Sequence, residues 1–325
     1  MDETTSPDNT KRTPPFNNLY LLSGLVNGFN NSWMYFLTLT FLIAGYVFFQ
    51  SIALFPLMAI LQSKGYSHEQ ILENANLLFD SKALGMDQNL VLLLELGMFV
   101  FAAIGFFMGL KYIHKKTITS VLTGYEKFRF GRFWFAFLVW GALLVAMVLL
   151  DYFLNPGEMT VSFNVQGILF SLLIMVIFMP IQTGLEELVF RGYLVQGLAQ
   201  IFHNGIIPLF LTSLLFGLAH ITNPEVKEFG IPVMLTYYCC FALFMGAITL
   251  LDEGLELAFG LHFANNMVSS ILVSSPHAVI KPYSIFEAKA EDPQSEIVVW
   301  FVMAALTFGI FWMRYRWKNF KLIIK

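Results

Sequence analysis

Long apolar runs separated by short polar connections dominate the chain. A membrane-spanning helix needs about 20 mostly apolar residues. Runs of that kind occur near residues 33–62, 89–113, 132–154, 165–185, 206–222, 231–251, 257–274 and 296–313, the fifth and seventh being short. The pattern predicts an all-α, polytopic transmembrane helical bundle of about eight spans, a single domain over residues 31–325. Residues 1–30 are polar, carry Pro7, Pro14 and Pro15, and lack the apolar core of a signal peptide, so they read as a flexible cytoplasmic tail. The segment 188–203 fits least well. It is apolar but carries Arg191, Gln196, Gln200 and His203, and it either extends the fourth helix, lies in the interface or re-enters.

Composition narrows the picture. Of 325 residues, 57% are hydrophobic and 13% charged, with a mean hydropathy of +0.66. A soluble domain averages about 25% charged residues, so an ordinary cytosolic enzyme and a disordered chain are both excluded. The formal net charge of -3 implies no basic surface for a nucleic acid. The lipid bilayer is the first partner, and 35 phenylalanines suit it. Lys11 and Arg12, Lys111, Lys115, Lys116, Lys127, Arg129 and Arg132, and Arg314, Arg316, Lys318, Lys321 and Lys325 fall on one side of an eight-span chain. Only Lys64, Lys82, Lys227, Lys281 and Lys289 fall on the other. Basic residues collect on the cytoplasmic side, which places both termini there. A compact chain without sorting signals points to a bacterial plasma membrane.

Ionisable side chains inside spans cost roughly 2.5–3.5 kcal/mol each on insertion scales, so their presence asks for a reason. Residues 165–274 contain a cluster of them. Glu187 and Arg191 are i and i+4, close enough to pair on one helix face. Glu186 is turned about 100° away and keeps a face to itself, which makes it the better general base. Phe216 and His220 repeat the i, i+4 spacing, so the phenyl ring can fix the imidazole. His262 and Asn266 share a face and can direct two hydrogen-bond donors at one point. Taken singly, each pairing also fits a structural role: interfacial acids with a snorkelling arginine, or polar groups joining helices.

Other polar residues say less. His68 and Glu69 begin like the zinc motif HExxH, but position 72 is Leu, which removes the second ligand. Glu95 has Phe99 rather than a cation one turn on. Asp252, Glu253 and Glu256 read as a solvated acidic turn, and Cys239 and Cys240 as packing residues.

The strings Glu186-Glu187-Leu188-Val189-Phe190-Arg191, Phe216-Gly217-Leu218-Ala219-His220 and His262-Phe263-Ala264-Asn265-Asn266 read EExxxR, FxxxH and HxxxN. In this order on successive membrane helices, they resemble the CPBP family of CAAX prenyl endopeptidases of type II and bacteriocin-processing or Abi proteins. The resemblance covers about residues 165–275 and implies a glutamate-dependent intramembrane endopeptidase acting on a protein or peptide substrate. It implies that Glu186 and His220 polarise the attacking water, that His262 and Asn266 bind the oxyanion, and that Glu187, Arg191 and Phe216 support them. A carboxylate in a partly desolvated site suits that chemistry. No cofactor is expected, although Glu186, His220 and His262 form an acceptable zinc set; Asn266 suits a donor better than a ligand.

Two other functions fit parts of the pattern. A non-proteolytic scaffold or immunity protein of the same fold would not require Glu186, His220, His262 and Asn266 together. A transporter also carries intramembrane acids and histidines, but here they gather in one half of the chain. A simple eight-span drawing puts Glu186 near a helix end and His220 about 20 Å into the fifth span. Either 188–205 dips into the membrane or the fifth helix starts later. Water must reach the site, so a polar cavity opening toward the cytoplasm is expected.

Overall fold

The apolar runs become helices in the computed structural model, which describes residues 16–275, 277–289 and 293–324. The chain opens with α1 (Leu19–Val26) and α2 (Ser32–Ser63), followed by two short helices, α3 (His68–Glu73) and α4 (Ser81–Leu84). Next come α5 (Gln88–Met108), which continues as a π-helical turn to His114, the short α6 (Ile118–Leu122) and α7 (Phe130–Leu154). The motif-bearing half consists of α8 (Val165–Glu186), a π-helical stretch Glu187–Leu194, α9 (Val195–Phe202), α10 (Ile206–Ala219), α11 (Pro224–Phe229), α12 (Ile231–Asp252) and α13 (Glu256–Leu272). It is followed by α14 (Pro293–Tyr315).

The all-α membrane bundle is thus what the apolar pattern predicts. Among the described residues, six helices are long and apolar enough to cross a membrane: Ser32–Ser63, Gln88–His114, Phe130–Leu154, Val165–Phe202, Ile231–Asp252 and Gln294–Tyr315. The expected fifth and seventh spans differ. α10 has 14 residues and rises about 21 Å, short of a hydrocarbon core about 30 Å thick. The 17 residues of α13 include Glu256, His262, Asn265 and Asn266, which lower its hydropathy. Lipid is met by the bundle's outer face, where Phe36, Phe48 and Phe55 of α2 and Leu138, Leu149 and Phe153 of α7 stand exposed.

The polar tail expected over 1–30 ends earlier than its composition indicates. Phe16, Tyr20 and Leu21 are buried, and Asn18 caps α1 by accepting from the Tyr20 and Leu21 amides. The Asn18 carboxamide donates to the Leu250 and Leu322 carbonyls at 2.8 and 2.9 Å, tying α1 to α12 and the C-terminal segment. Residues 1–15, with Lys11 and Arg12, lie outside the described residues, as does Lys325.

The two ends of the bundle are built differently. At one end β1 (Met159–Val161), β3 (Phe286–Ala288) and β2 (Val273–Ser274) form a small sheet in the order β1-β3-β2. β1 pairs antiparallel to β3 with Thr160 opposite Glu287, and β2 pairs parallel with Val273 opposite Phe286. At the other end Thr123 bridges Gly254 beside a group of buried charges. The expected solvated acidic turn is found there as something else. Asp252 and Glu256 are 3% and 0% exposed, which is possible because each carboxylate is matched by cations. Arg129 donates to Glu256 through Nε at 3.0 Å and Nη2 at 2.6 Å. Its Nη2 also lies 3.0 Å from Asp252 Oδ2. Arg132 pairs closely with Asp252, and the Trp317 indole donates to Asp252 Oδ1 at 3.1 Å.

Helix packing sets the depth of everything else. A Cβ at Gly260 would sit 2.1 Å from the Phe133 carbonyl oxygen, so only glycine lets α13 lie against α7, as small residues do in membrane bundles. The segment 188–203 extends the fourth helix: α8, the π-helical stretch and α9 form one run of 38 residues. His203, at φ 53°, ends it, and α10 returns alongside. From Glu186 to Phe202 the chain descends about 24 Å, and from Ile206 to His220 it climbs about 21 Å, at 1.5 Å per residue. The fifth helix therefore starts low, and His220 arrives level with Glu186.

Candidate active site

Three helices carry the predicted residues: Glu186, His262 and Asn266 are linked by polar contacts, and His220 joins them through the Phe216 ring. Glu186 ends α8, His220 caps the last turn of α10, and His262 and Asn266 lie on α13. Glu186 and Glu187, expected to keep separate faces, meet the two nitrogens of one imidazole, that of His262. Glu187 is fully buried, and its Oε1 lies 3.0 Å from Arg191 Nη1 and 2.7 Å from His262 Nδ1. The Arg191 guanidinium in turn sits 4.1 Å from the centre of the Phe216 ring. A buried carboxylate, a buried guanidinium and an aromatic face thus support one another, which is the arrangement that makes a desolvated charge tolerable.

Glu186 is placed differently. Its Oε1 accepts from Gln182 Nε2 at 2.5 Å. Its Oε2 is buried without a hydrogen-bond partner and stands 3.7 Å from His262 Nε2. A buried carboxylate oxygen left unpaired is costly, and here it faces the one ring nitrogen that Glu187 leaves free.

The hydrogen bonds fix both imidazoles. His220 Nδ1 is 2.7 Å from the Phe216 carbonyl oxygen, which can only accept, so Nδ1 carries the proton and Nε2 is the acceptor in the neutral ring. His262 is oriented in the same sense by the Glu187 carboxylate. Phe216 is buried and lies between the two histidines, with ring centres 4.3 Å from His220 and 6.3 Å from His262. The expected clamp of His220 by Phe216 is therefore present. The pairing of His262 with Asn266 is looser than their spacing implied, because each has another partner. His262 bonds to Glu187, while Asn266 Nδ2 donates to Gln182 Oε1 at 3.3 Å.

Several residues of this site escape the motifs. Gln182 touches both Glu186 and Asn266, and its only trace in the sequence is an amide one helical turn before Glu186. Tyr238 of α12 stacks on His220 at 4.7 Å. Its hydroxyl donates to Glu225 of α11 and accepts from Asn223 Nδ2 at 3.1 Å. Phe241 packs edge-on against His262 at 5.2 Å. Tyr238 and Phe241 are ordinary members of an apolar run and give no signal by spacing.

A metal was the alternative reading of Glu186, His220 and His262. Among the described residues, no three His, Cys, Asp or Glu side chains gather closely enough to hold a metal ion.

The approach to the site lies at one end of the bundle. α13 is almost wholly buried from Glu256 to Ala264 and half-buried at every position from Asn265 to Val273. α10 stops at Ala219, and Ile221 and Thr222 beyond it are exposed. The site is thus open toward the sheet end of the bundle, while the end carrying Arg129 and Arg132 is closed by ion pairs. A separate cavity of about 530 Å³ also opens at the sheet end, between α5 and α8, lined by Asp87, Asn89, Asn164 and Tyr283.

Comparison with known proteins adds to this geometry. Residues 165–268 match the family described as Rce1-like, type II CAAX prenyl endopeptidase, a span that contains all three motifs. The chain is also 28% identical over 259 residues to YyaK, an uncharacterised protein of Bacillus subtilis (strain 168), covering 78% of this chain and 82% of that one. No solved structure matches. The resemblance read from the three motifs is supported: residues 165–268 are similar to the Rce1-like, CAAX-protease-type family, in a multi-pass membrane protein.

Proposed function

We propose that this chain is an intramembrane endopeptidase that hydrolyses a peptide bond of a membrane-associated protein or peptide with a water activated by Glu186 and His220, without a metal. The observation that carries the reading is the buried, unpartnered Glu186 Oε2, 3.7 Å from His262 Nε2. A water seated beside that edge is within hydrogen-bond reach of both atoms, as general-base catalysis requires.

The reaction balances on these residues. The water oxygen attacks the carbonyl carbon while its proton passes to the Glu186 carboxylate or to His220 Nε2. The carbonyl π pair moves onto oxygen. Asn266 has a second N–H beyond the one given to Gln182, and it donates to that oxyanion. His262 takes the same role when it enters the reaction as imidazolium, with Nδ1–H donated to Glu187 and Nε2–H to the oxyanion. As the C–N bond breaks, the proton held by Glu186 or His220 passes to the leaving nitrogen. Glu187 and Arg191 touch no reacting atom in this scheme; they hold His262.

The Rce1-like match makes a prenylated CaaX protein one candidate substrate class, and an unprenylated peptide another. The cytoplasmic placement of the termini in a bacterial plasma membrane belongs to the same proposal and rests on the distribution of Lys and Arg. On that orientation the opening at the sheet end faces away from the cytoplasm.

The test compares membrane and secreted peptides of host cells carrying wild type or Glu186→Gln. An uncut precursor that accumulates only with the variant is the expected result, and it identifies the substrate. Matching profiles, with the variant still complementing a deletion phenotype, would overturn catalysis and favour a binding role.

A further inference from the structure

Four hydrogen bonds run in one direction through the middle of the bundle. The Trp140 indole of α7, fully buried, donates to Asn265 Oδ1 at 3.1 Å. Asn265 Nδ2 donates to Asn266 Oδ1 at 3.2 Å. Asn266 Nδ2 donates to Gln182 Oε1 at 3.3 Å, and Gln182 Nε2 donates to Glu186 Oε1 at 2.5 Å. The chain links α7, α13 and α8.

Its two ends determine its direction. An indole N–H can only donate, and an ionised carboxylate can only accept. Each of the three carboxamides between them could in principle be turned over, exchanging its oxygen and nitrogen. Turning any one would set oxygen against oxygen or N–H against N–H in a partly buried environment, where an unsatisfied polar group is costly. One orientation satisfies all four links, and it is the one observed.

We propose that Gln182 is a positioning residue, held by the Trp140–Asn265–Asn266 chain, that locks the Glu186 carboxylate and the Asn266 carboxamide in one geometry. This rests on the function proposed above. Gln182 is 5% exposed and acts through its neighbours. Its N–H occupies Glu186 Oε1, so Oε2 is the oxygen left for water. Its carbonyl takes one Asn266 N–H, so the other is left for the oxyanion. One amide thereby sets which atom of the base and which proton of the oxyanion donor face the reaction. A 1 Å misplacement of such groups can cost about 100-fold in rate.

The test uses the full chain in lipid nanodiscs and the precursor identified by the Glu186→Gln comparison. Gln182→Met keeps the shape and removes both hydrogen bonds, and Trp140→Phe removes only the far anchor. The expected result is a kcat lowered about 10- to 100-fold for Gln182→Met and by less for Trp140→Phe, with KM unchanged in both. As a second readout, the indole N–H NMR signal of Trp140, assigned by its loss in Trp140→Phe, shifts in Gln182→Met. Unchanged kcat in a folded Gln182→Met protein overturns the proposal, and so does a rise in KM with kcat preserved. If Gln182→Met does not fold, Trp140→Phe decides by the same split. Failure of the catalytic reading itself is distinguishable: it leaves Glu186→Gln active.

Discussion

Two groups of buried charge share α13, through Glu256 and His262, and differ in what they leave undone. At the closed end, Glu256 and Asp252 face Arg129 and Arg132, and each of the four carboxylate oxygens has a cation within 3.0 Å. In the motif site Arg191 and His262 both meet Glu187 Oε1, so one oxygen each of Glu187 and Glu186 is buried without a hydrogen-bond partner. A saturated cluster is what a fold needs to close a bundle end. A cluster that leaves carboxylate oxygens unpaired, with Glu186 Oε2 beside His262 Nε2, is what the proposed hydrolysis needs.

The largest expected effect follows directly. Glu186→Gln lowers cleavage of the precursor by about 10³-fold or more, in the range seen when an acid–base group or an oxyanion donor is lost, without lowering the thermal unfolding midpoint. Arg129→Ala should do the reverse. It leaves Glu256 buried and uncompensated, which costs about 3–5 kcal/mol of stability, read as loss of folded protein with normal activity per folded molecule. A normal yield of Arg129→Ala would collapse the comparison.

Smaller changes sharpen it. Glu187→Gln keeps an acceptor for His262 Nδ1–H but removes the charge behind it. A drop in kcat of about 10- to 100-fold is expected, the size usual for an outer partner of a reacting group, and turnover kinetics on the precursor check it. The smallest effect concerns Lys116, which is 6% exposed and donates to the Gly24 carbonyl and the Tyr35 hydroxyl at 2.8 and 3.3 Å. Burial pushes its ammonium down to about 8. The unfolded chain therefore binds more protons than the folded one between pH 8 and about 10.4, and stability rises with pH across that window. Thermal unfolding of the purified protein should show a midpoint a few degrees higher at the upper end, and Lys116→Met should flatten the profile.

Much of this was legible in the sequence because apolar runs of membrane length leave little choice of fold, and because i, i+4 spacing fixes which side chains share a helix face. The Glu187–Arg191 pair and the Phe216–His220 clamp followed from spacing alone. What the sequence concealed depends on contacts between distant segments. Gln196 and Gln200 left open whether 188–203 extends the fourth helix, lies in the interface or re-enters, because their partners are distant: Gln196 donates to the Tyr20 and Ser120 carbonyls at 3.0 and 2.9 Å and Gln200 to the Tyr35 hydroxyl at 3.0 Å. Asp252 and Glu256 looked solvated because their cations lie more than 100 residues upstream. Gln182 shares its spacing with the motif that follows it, but one amide in an apolar run has no meaning until Asn266 is set opposite it.

The proposed hydrolysis uses a metal-free water activated by Glu186. The measurement that bears on it most directly is single-turnover cleavage of the precursor by purified protein before and after exhaustive chelation, with Glu186→Gln in parallel. The expected result is an unchanged rate after chelation and no cleavage by the variant. A rate lost on chelation and restored by stoichiometric zinc, or a variant that cuts like wild type, would contradict it.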